Sequence, residues 1–190
     1  MRRIILASAS PTRKELMKRL GVPFRVVVSD YEENMKLRLP PAELVKVLSR
    51  GKAEAVAKRF RNAVIIGADS IFIFKGDILG KPHSHSAARR MLRTLSNSHG
   101  TAITGLTIIN AKSGRQVSKV LKTEVFFRKL SSKEIDAYVK TGEPLDKAGA
   151  FAILERGVLF IQKIKGDYTN VSGLPLSVLV VELRKFGIAL

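Results

Sequence analysis

The sequence predicts a mixed α/β fold, and three observations carry that reading. Short apolar runs of strand length alternate with amphipathic runs of helical period, and nearly every run is bounded by a capping residue, a proline or a glycine. Two pairs of strand-like runs are separated only by turn residues, so hairpins stand among the strands and a purely parallel, doubly wound sheet is disfavoured.

Residues 3–7 (RIILA) read as a buried strand, after which Ser10 and Pro11 supply an N-cap and first helical position for an amphipathic run that Gly21 stops. A second strand over 24–29 leads into the acidic bend DYEE, and Pro40 with Pro41 opens a helix reaching about Phe60 and carrying Lys52. AVIIGA (63–68) reads as a buried strand and IFIF (71–74) as the first arm of a hairpin turning at Gly76, with Asp69 between the two. Ser84 can cap a helix through about Ser96, and strand-like runs over 101–110 and 116–128 flank the turn KSGR as an antiparallel pair. Ser131 and Glu134 have capping-box spacing for a helix ended by Gly142; a strand VLFIQKI, a glycine-rich loop and a helix from Pro175 to Phe186 complete the chain. No repeat, low-complexity segment or charged tail interrupts residues 1–190, so a single domain is expected.

Composition bounds the function. A 45% apolar and 26% charged chain is that of a folded globular protein, and no apolar run reaches the roughly 18 residues of a membrane span, so a cytoplasmic protein with no membrane partner is expected. With no cysteine, any metal must be held by carboxylates, water or histidine. Lys and Arg outnumber Asp and Glu 34 to 16, giving a net charge of +18 that attracts polyanions, nucleotides and nucleic acids alike. The aromatic residues do not alternate with basic ones as in single-strand binding platforms, which argues against a nucleic-acid partner.

The segment A-S-A-S-P-T-R-K, Ala7 to Lys14, puts small residues between a strand and a helix. Backbone N–H groups and the helix N-terminus there can receive an anion, with Ser8 and Ser10 lining the turn and Arg13 and Lys14 adding charge. A capped helix with two solvated basic residues is the plainer alternative. The segment matches neither a Walker loop nor a dinucleotide fingerprint. Asp69, in IIGADS, is either a metal ligand or base, or a turn former. Glu32 and Glu33 are oxygen donors suited to Mg²⁺ or Mn²⁺, or else merely solvated. Lys52 and Lys81 can contact phosphate as point charges. His83, His85 and His99 have no metal-site or nucleophile-partner spacing, and no role is assigned to them.

Taken in order, LASASPTRKELMKRLG, DYEE, GKAEAVA, IIGADS, ILGKP, MLRTLS, EPLDKAGAFAI and GDYTNVSGLPL resemble the Maf family of nucleotide pyrophosphatases over about residues 4–176. The resemblance implies an elongated mixed sheet flanked by helices with a central cleft, related to inosine-triphosphate pyrophosphatase. It also implies a homodimer, and hydrolysis of a nucleoside triphosphate to the monophosphate and pyrophosphate with a divalent metal such as Mg²⁺ or Mn²⁺. By motif position, Ser8, Arg13, Lys52, Asp69 and Lys81 fall on active-site positions, with Asp69 as proton acceptor and Glu32 or Glu33 near the metal. The family's dTTP/UTP-hydrolysing pattern carries Arg, Thr and Gln where this chain has Thr12, Ser70 and Leu154, and the 7-methyl-GTP pattern carries Trp, Gln and Glu. Agreement with neither implies a base pocket that reads fewer polar groups. The competing reading is a basic nucleic-acid-binding or nucleotide-sensing protein connected with septum formation, without turnover.

Overall fold

The computed structural model describes residues 3–33 and 39–190. Strand β1 (Arg3–Leu6) and helix α1 (Pro11–Lys18) form the predicted opening unit, with Ser10 as N-cap and Pro11 in the first turn. They are followed by β2 (Phe24–Val26), α2 (Pro41–Ala57), β3 (Ala63–Phe74), β4 (Asp77–Leu79), α3 (His85–Leu95), β5 (His99–Asn110), β6 (Gln116–Phe127) and α4 (Ser132–Lys140). Three short 3₁₀ turns, then β7 (Ile161–Lys165), α5 (Tyr168–Val171) and α6 (Leu176–Lys185) complete the chain. The strands form one mixed sheet in the order β2-β1-β3-β5-β6-β7, with β4 paired to β3. β1 runs parallel to β2 and β3, whereas β3–β4 and β6–β7 are antiparallel, as the hairpin signals require. β5 and β6 are neighbours joined through residues 111–115, a connection too short for anything but an antiparallel pair.

The chain forms two compact units. The first comprises the described residues of Met1–Ser70 with Ile103–Leu121 and Gly173–Leu190; the second comprises Ile71–Ala102 and Lys122–Ser172. In the first unit, Ile5, Ala7, Val27, Ala63, Ile65 and Ile109 pack with Ala53 and Val56 of α2. In the second, Phe72, Phe127 and Phe151 meet edge to face, with ring centroids 5.0 to 6.2 Å apart, among buried residues of α3 and α4. Edge-to-face geometry sets the positive rim of one ring against the negative face of the next.

Glycines inside strands set how closely α2 approaches the sheet. A Cβ at Gly67 would lie 2.4 Å from the Ser49 carbonyl oxygen, and one at Gly105 would lie 2.2 Å from that of Val45. No side chain fits at either point, so the helix backbone rests directly on β3 and β5. Hydroxyl groups join the same contact: Ser49 Oγ donates to Lys46 O at 3.0 Å, which leaves Thr107 Oγ1 to donate to Ser49 at 2.9 Å and Ser118 Oγ to donate to Thr107 at 2.8 Å. The hydroxyls of Ser49, Thr107 and Ser118 thereby each have a partner.

Three expectations are corrected. The runs 63–68 and 71–74 are one continuous strand, so Asp69 lies within β3 and not in a break between strands; its carboxylate is answered by an ion pair, and the strand continues through it. The second strand stops at Val26 because its partner among the described residues, β1, stops at Leu6, with one further bond from Val27 N to Leu6 O. The strand expected over 158–164 begins only at Ile161. Residues Arg156–Phe160 are a 3₁₀ turn whose polar backbone groups are taken elsewhere: Arg156 N and Gly157 N donate to Glu143, and Leu159 O accepts from Arg128 Nε.

Candidate active site

β1 pairs with β3 only as far as Leu6 opposite Ile66, with a last bond from Ala7 N to Ile66 O at 2.8 Å. Residues 67–70 of β3 run past that end, beside the turn Ala7–Ser10 that leads into α1. Side chains alternate along a strand, so Asp69 shares the face of Gly67, toward α2, and Ser70 takes the other. Because no β1 residue lies beside them, both faces open on the same gap.

On the α2 face, Lys52 Nζ stands 2.5 Å from Asp69 Oδ1 and 2.8 Å from Glu33 Oε1. Lys52 and Asp69 are largely buried, with side chains 14% and 10% exposed, so neither charge is left to solvent alone. Glu33 arrives from the acidic bend, whose Tyr31 ring fills the notch left by Gly51: a Cβ at Gly51 would lie 2.4 Å from the ring. Tyr31 and Glu33 are therefore seated on the adjacent residues Gly51 and Lys52. Of the two glutamates considered from sequence, Glu33 is paired with Lys52, while Glu32 is exposed.

On the other face, the Arg13 guanidinium donates from Nε to Gly173 O at 2.8 Å, from Nη2 to Ser70 Oγ at 3.0 Å and from Nη1 to Ser8 Oγ at 3.4 Å. A guanidinium carries five N–H donors, so one remains on each terminal nitrogen. Burial pulls the Arg13 pKa down, and the charges of Asp69 and Glu33 oppose it. The same charges tie Arg13 electrostatically to the Lys52 cluster. Ser10 caps α1 by accepting from Arg13 N at 3.3 Å, and Ser8 Oγ accepts from Ser10 N at 3.2 Å. Thr12 is half-buried on α1 and Lys14 is exposed.

The structure thus brings Ser8, Ser10, Arg13, Glu33, Lys52, Asp69 and Ser70 together within the first unit. Lys81 and Leu154 belong to the second unit. Lys81 is exposed, one residue after Gly80, whose carbonyl accepts from Gly149 N. Leu154 is half-buried in a turn pinned on both sides, by Tyr168 Oη on Ile153 O at 2.9 Å and by Glu143 on Arg156 N and Gly157 N. Its neighbour Glu155 pairs with Lys147 at 3.7 Å. Gly173, Thr104 and Gly67 are further neighbours of these residues to which sequence analysis gave no role. Gly67 carried a signal, a glycine in a strand interior, which marks close approach of another backbone. Gly173 lay in the quoted block GDYTNVSGLPL without a role of its own, and Thr104 carried no signal.

Two converging carboxylates suit a hard, oxygen-seeking cation, and the position they share now holds an ammonium. Among the described residues no group of three or more His, Asp or Glu is placed to hold a metal ion; two carboxylate donors are a set that a divalent ion such as Mg²⁺ completes with water and substrate phosphate. Fixed cations beside a carboxylate pair, at the end of a parallel strand in an α/β sheet, can receive a polyphosphate.

The family model described as Maf-like protein matches residues 3–186. A dTTP/UTP pyrophosphatase of Methanosarcina barkeri is 48% identical over 191 residues, covering 100% of this chain and 97% of the relative. That of Methanococcoides burtonii is 47% identical over 191 residues, covering 100% and 98%, and that of Moorella thermoacetica is 46% identical over 188 residues, covering 99% and 97%. The solved structure of the Staphylococcus aureus Ham1 protein is similar with a TM-score of 0.44 and 20% identity, over 68% of this chain and 72% of that one. The chain belongs to the Maf family.

Proposed function

We propose that this protein is a nucleoside triphosphate pyrophosphatase that releases pyrophosphate from dTTP and UTP and leaves the monophosphate. The observation that carries the reading is the Glu33–Lys52–Asp69 cluster and the Ser70-bound Arg13 guanidinium, gathered where β1 ends, in a chain nearly half identical along its length to enzymes named for that reaction.

Asp69 accepts a proton from a water molecule as its oxygen attacks the α-phosphorus. The bond from the α-phosphorus to the bridging oxygen breaks, and pyrophosphate departs with the electron pair. No covalent intermediate is required. Lys52 fixes the Asp69 carboxylate by a direct hydrogen bond and adds positive charge beside it. Arg13 directs its two remaining N–H groups at phosphate oxygens. Positive charge fixed beside the reacting water, as at Lys52, is worth more in a water-poor site than in bulk solvent. Glu33 and Asp69 would hold the divalent ion, which when bound supplies charge neutralisation at the phosphoryl oxygens. On motif position, Lys81 contacts the phosphate chain and Thr12, Ser70 and Leu154 govern the choice of base; two copies of the chain form the working enzyme in the cytoplasm.

The test is pyrophosphate release from UTP, dTTP, CTP, GTP and 7-methyl-GTP with Mg²⁺ or Mn²⁺, on the natural protein and on Asp69→Asn. A positioned base contributes roughly 10² to 10⁴ in rate, so the variant should lose activity on that scale while still binding nucleotide. Turnover at the natural rate in Asp69→Asn would remove Asp69 from the mechanism, and metal-independent, salt-sensitive binding of nucleic acid without turnover would replace the reading altogether.

A further inference from the structure

We propose that Thr104 is a positioning residue for the phosphate-binding arginine, acting through Ser70. This rests on the reading that Arg13 contacts the triphosphate. Thr104 lies in β5, fully buried, where its neighbours Ala102, Ile103 and Leu106 are also buried. Its Oγ1 stands 2.9 Å from Ser70 Oγ, and that same Ser70 oxygen is 3.0 Å from Arg13 Nη2.

Chemistry fixes one bond of this chain. A guanidinium only donates, so Ser70 Oγ accepts from Arg13. The serine hydroxyl then engages Thr104 by its proton or by its second lone pair, and in both cases the Ser70 oxygen is held between two partners. Serine is free to rotate about χ1, whereas threonine is β-branched and stiffer there. The fixed member of the pair is therefore Thr104, in the middle of a long strand, and the movable member is Ser70.

The other two supports of the guanidinium leave that corner open. Gly173 holds Nε through its carbonyl, with a left-handed backbone (φ +89°) so close that a Cβ would come within 3.0 Å of Ser70 Oγ. Ser8 holds Nη1 at the longer distance of 3.4 Å. Without the Thr104 hydroxyl, Ser70 turns away, Nη2 loses its partner and the N–H groups aimed at substrate lose their direction. Such a defect weakens the holding of the triphosphate and leaves the Asp69–Lys52 pair in place. It should therefore appear in KM and spare kcat.

The experiment is steady-state kinetics on UTP and dTTP with Mg²⁺ for Thr104→Val, Thr104→Ser, Arg13→Ala and the Arg13→Ala/Thr104→Val double variant. Loss of one hydrogen bond predicts that Thr104→Val raises KM roughly five- to tenfold with kcat within about twofold of natural. Thr104→Ser should restore the natural KM, and the double variant should show no rise in KM beyond that of Arg13→Ala, since the Ser70-bound hydroxyl reaches the substrate through that arginine. If Thr104→Val does not fold, Thr104→Ala removes the same hydroxyl with less bulk and carries the same expected rise in KM. The proposal is overturned by a natural KM in the hydroxyl-less variant, by Thr104→Ser as impaired as Thr104→Val, or by additive losses in the double variant. Those results beside an impaired Arg13→Ala leave the substrate role of Arg13 standing. A natural Arg13→Ala enzyme removes that role, and this inference with it.

Discussion

Replacing Gly67 by alanine should disable the enzyme from a position that touches no substrate. The added Cβ would lie 2.4 Å from Ser49 O, 2.9 Å from Ala53 Cβ and 3.0 Å from Ala53 N, two of them backbone atoms of α2 that cannot rotate aside. Ordinary contact begins near 3.4 Å, so the helix must retreat by about 1 Å, the difference between 3.4 and 2.4. Lys52 is the residue before Ala53, and its ammonium sits 2.5 Å from Asp69. A retreat of about 1 Å stretches that contact beyond the roughly 3.2 Å limit of a good hydrogen bond. Overpacking of this kind costs about 1 to 3 kcal/mol, at about 2 to 4 °C of Tm per kcal/mol for a chain of this size. Misplacing a catalytic group by about 1 Å costs on the order of 10² in rate. Pyrophosphate release and calorimetry separate the two losses. In a Lys52→Ala background the catalytic loss should vanish and only the loss in Tm persist. A Gly67→Ala protein with natural kcat/KM per folded molecule would show that the close approach of α2 does not position Lys52.

Further outcomes follow from the same geometry. Arg13→Ala, Lys52→Ala and Lys81→Ala should each lower kcat/KM for triphosphates, while Lys129→Ala and Lys133→Ala should not; equal losses in all five, fading with salt, would instead indicate general steering by the net charge of +18. An apolar Leu154 discriminates by only about 1 to 3 kcal/mol per missing group, so kcat/KM values across bases should lie within about two orders of magnitude, and Leu154→Gln should widen them in favour of UTP and dTTP. Sharp natural selectivity unaltered by Leu154→Gln would place base reading elsewhere. Glu134 is held down to about 2 by hydrogen bonds from the Arg128 guanidinium and from Ser131, so its folded pKa lies below its ordinary 4.5. Its contribution to stability is complete above about pH 4.5 and fades as pH falls toward 2. Thermal melts between pH 5 and 2 should be flatter for Glu134→Gln than for the natural protein, and parallel curves would refute the assignment.

Local signals carried most of the fold because each was written in neighbouring residues. Ser10, Ser84 and the Ser131/Glu134 box cap helices as their spacing requires, and Gly76 turns the β3–β4 hairpin with a left-handed backbone. The misreadings came where a distant partner decided the outcome. Asp69 resembles a strand terminator until Lys52 is known to face it, and Val158–Phe160 has the composition of a strand until Glu143 and Arg128 claim the backbone groups around it. The same division runs through the site. Arg13, Lys52, Asp69 and the acidic bend were legible as charged residues in characteristic surroundings. What orients them was not, because Gly173, Thr104 and the Tyr31–Gly51 contact are uncharged features whose importance exists only in three dimensions.

The bond from Arg13 to the carbonyl of Gly173 joins residues 160 positions apart. A chain made from its N-terminus at about 5 to 20 residues per second presents Arg13 well before Gly173. Throughout that interval the arginine lacks the group that holds its Nε, and β3 and β5 wait for residues that complete the first unit. Pyrophosphate release should thus require residue 173 to have been made, and a ribosome stalled short of it would display a nascent chain whose phosphate-binding arginine lacks its Gly173 partner.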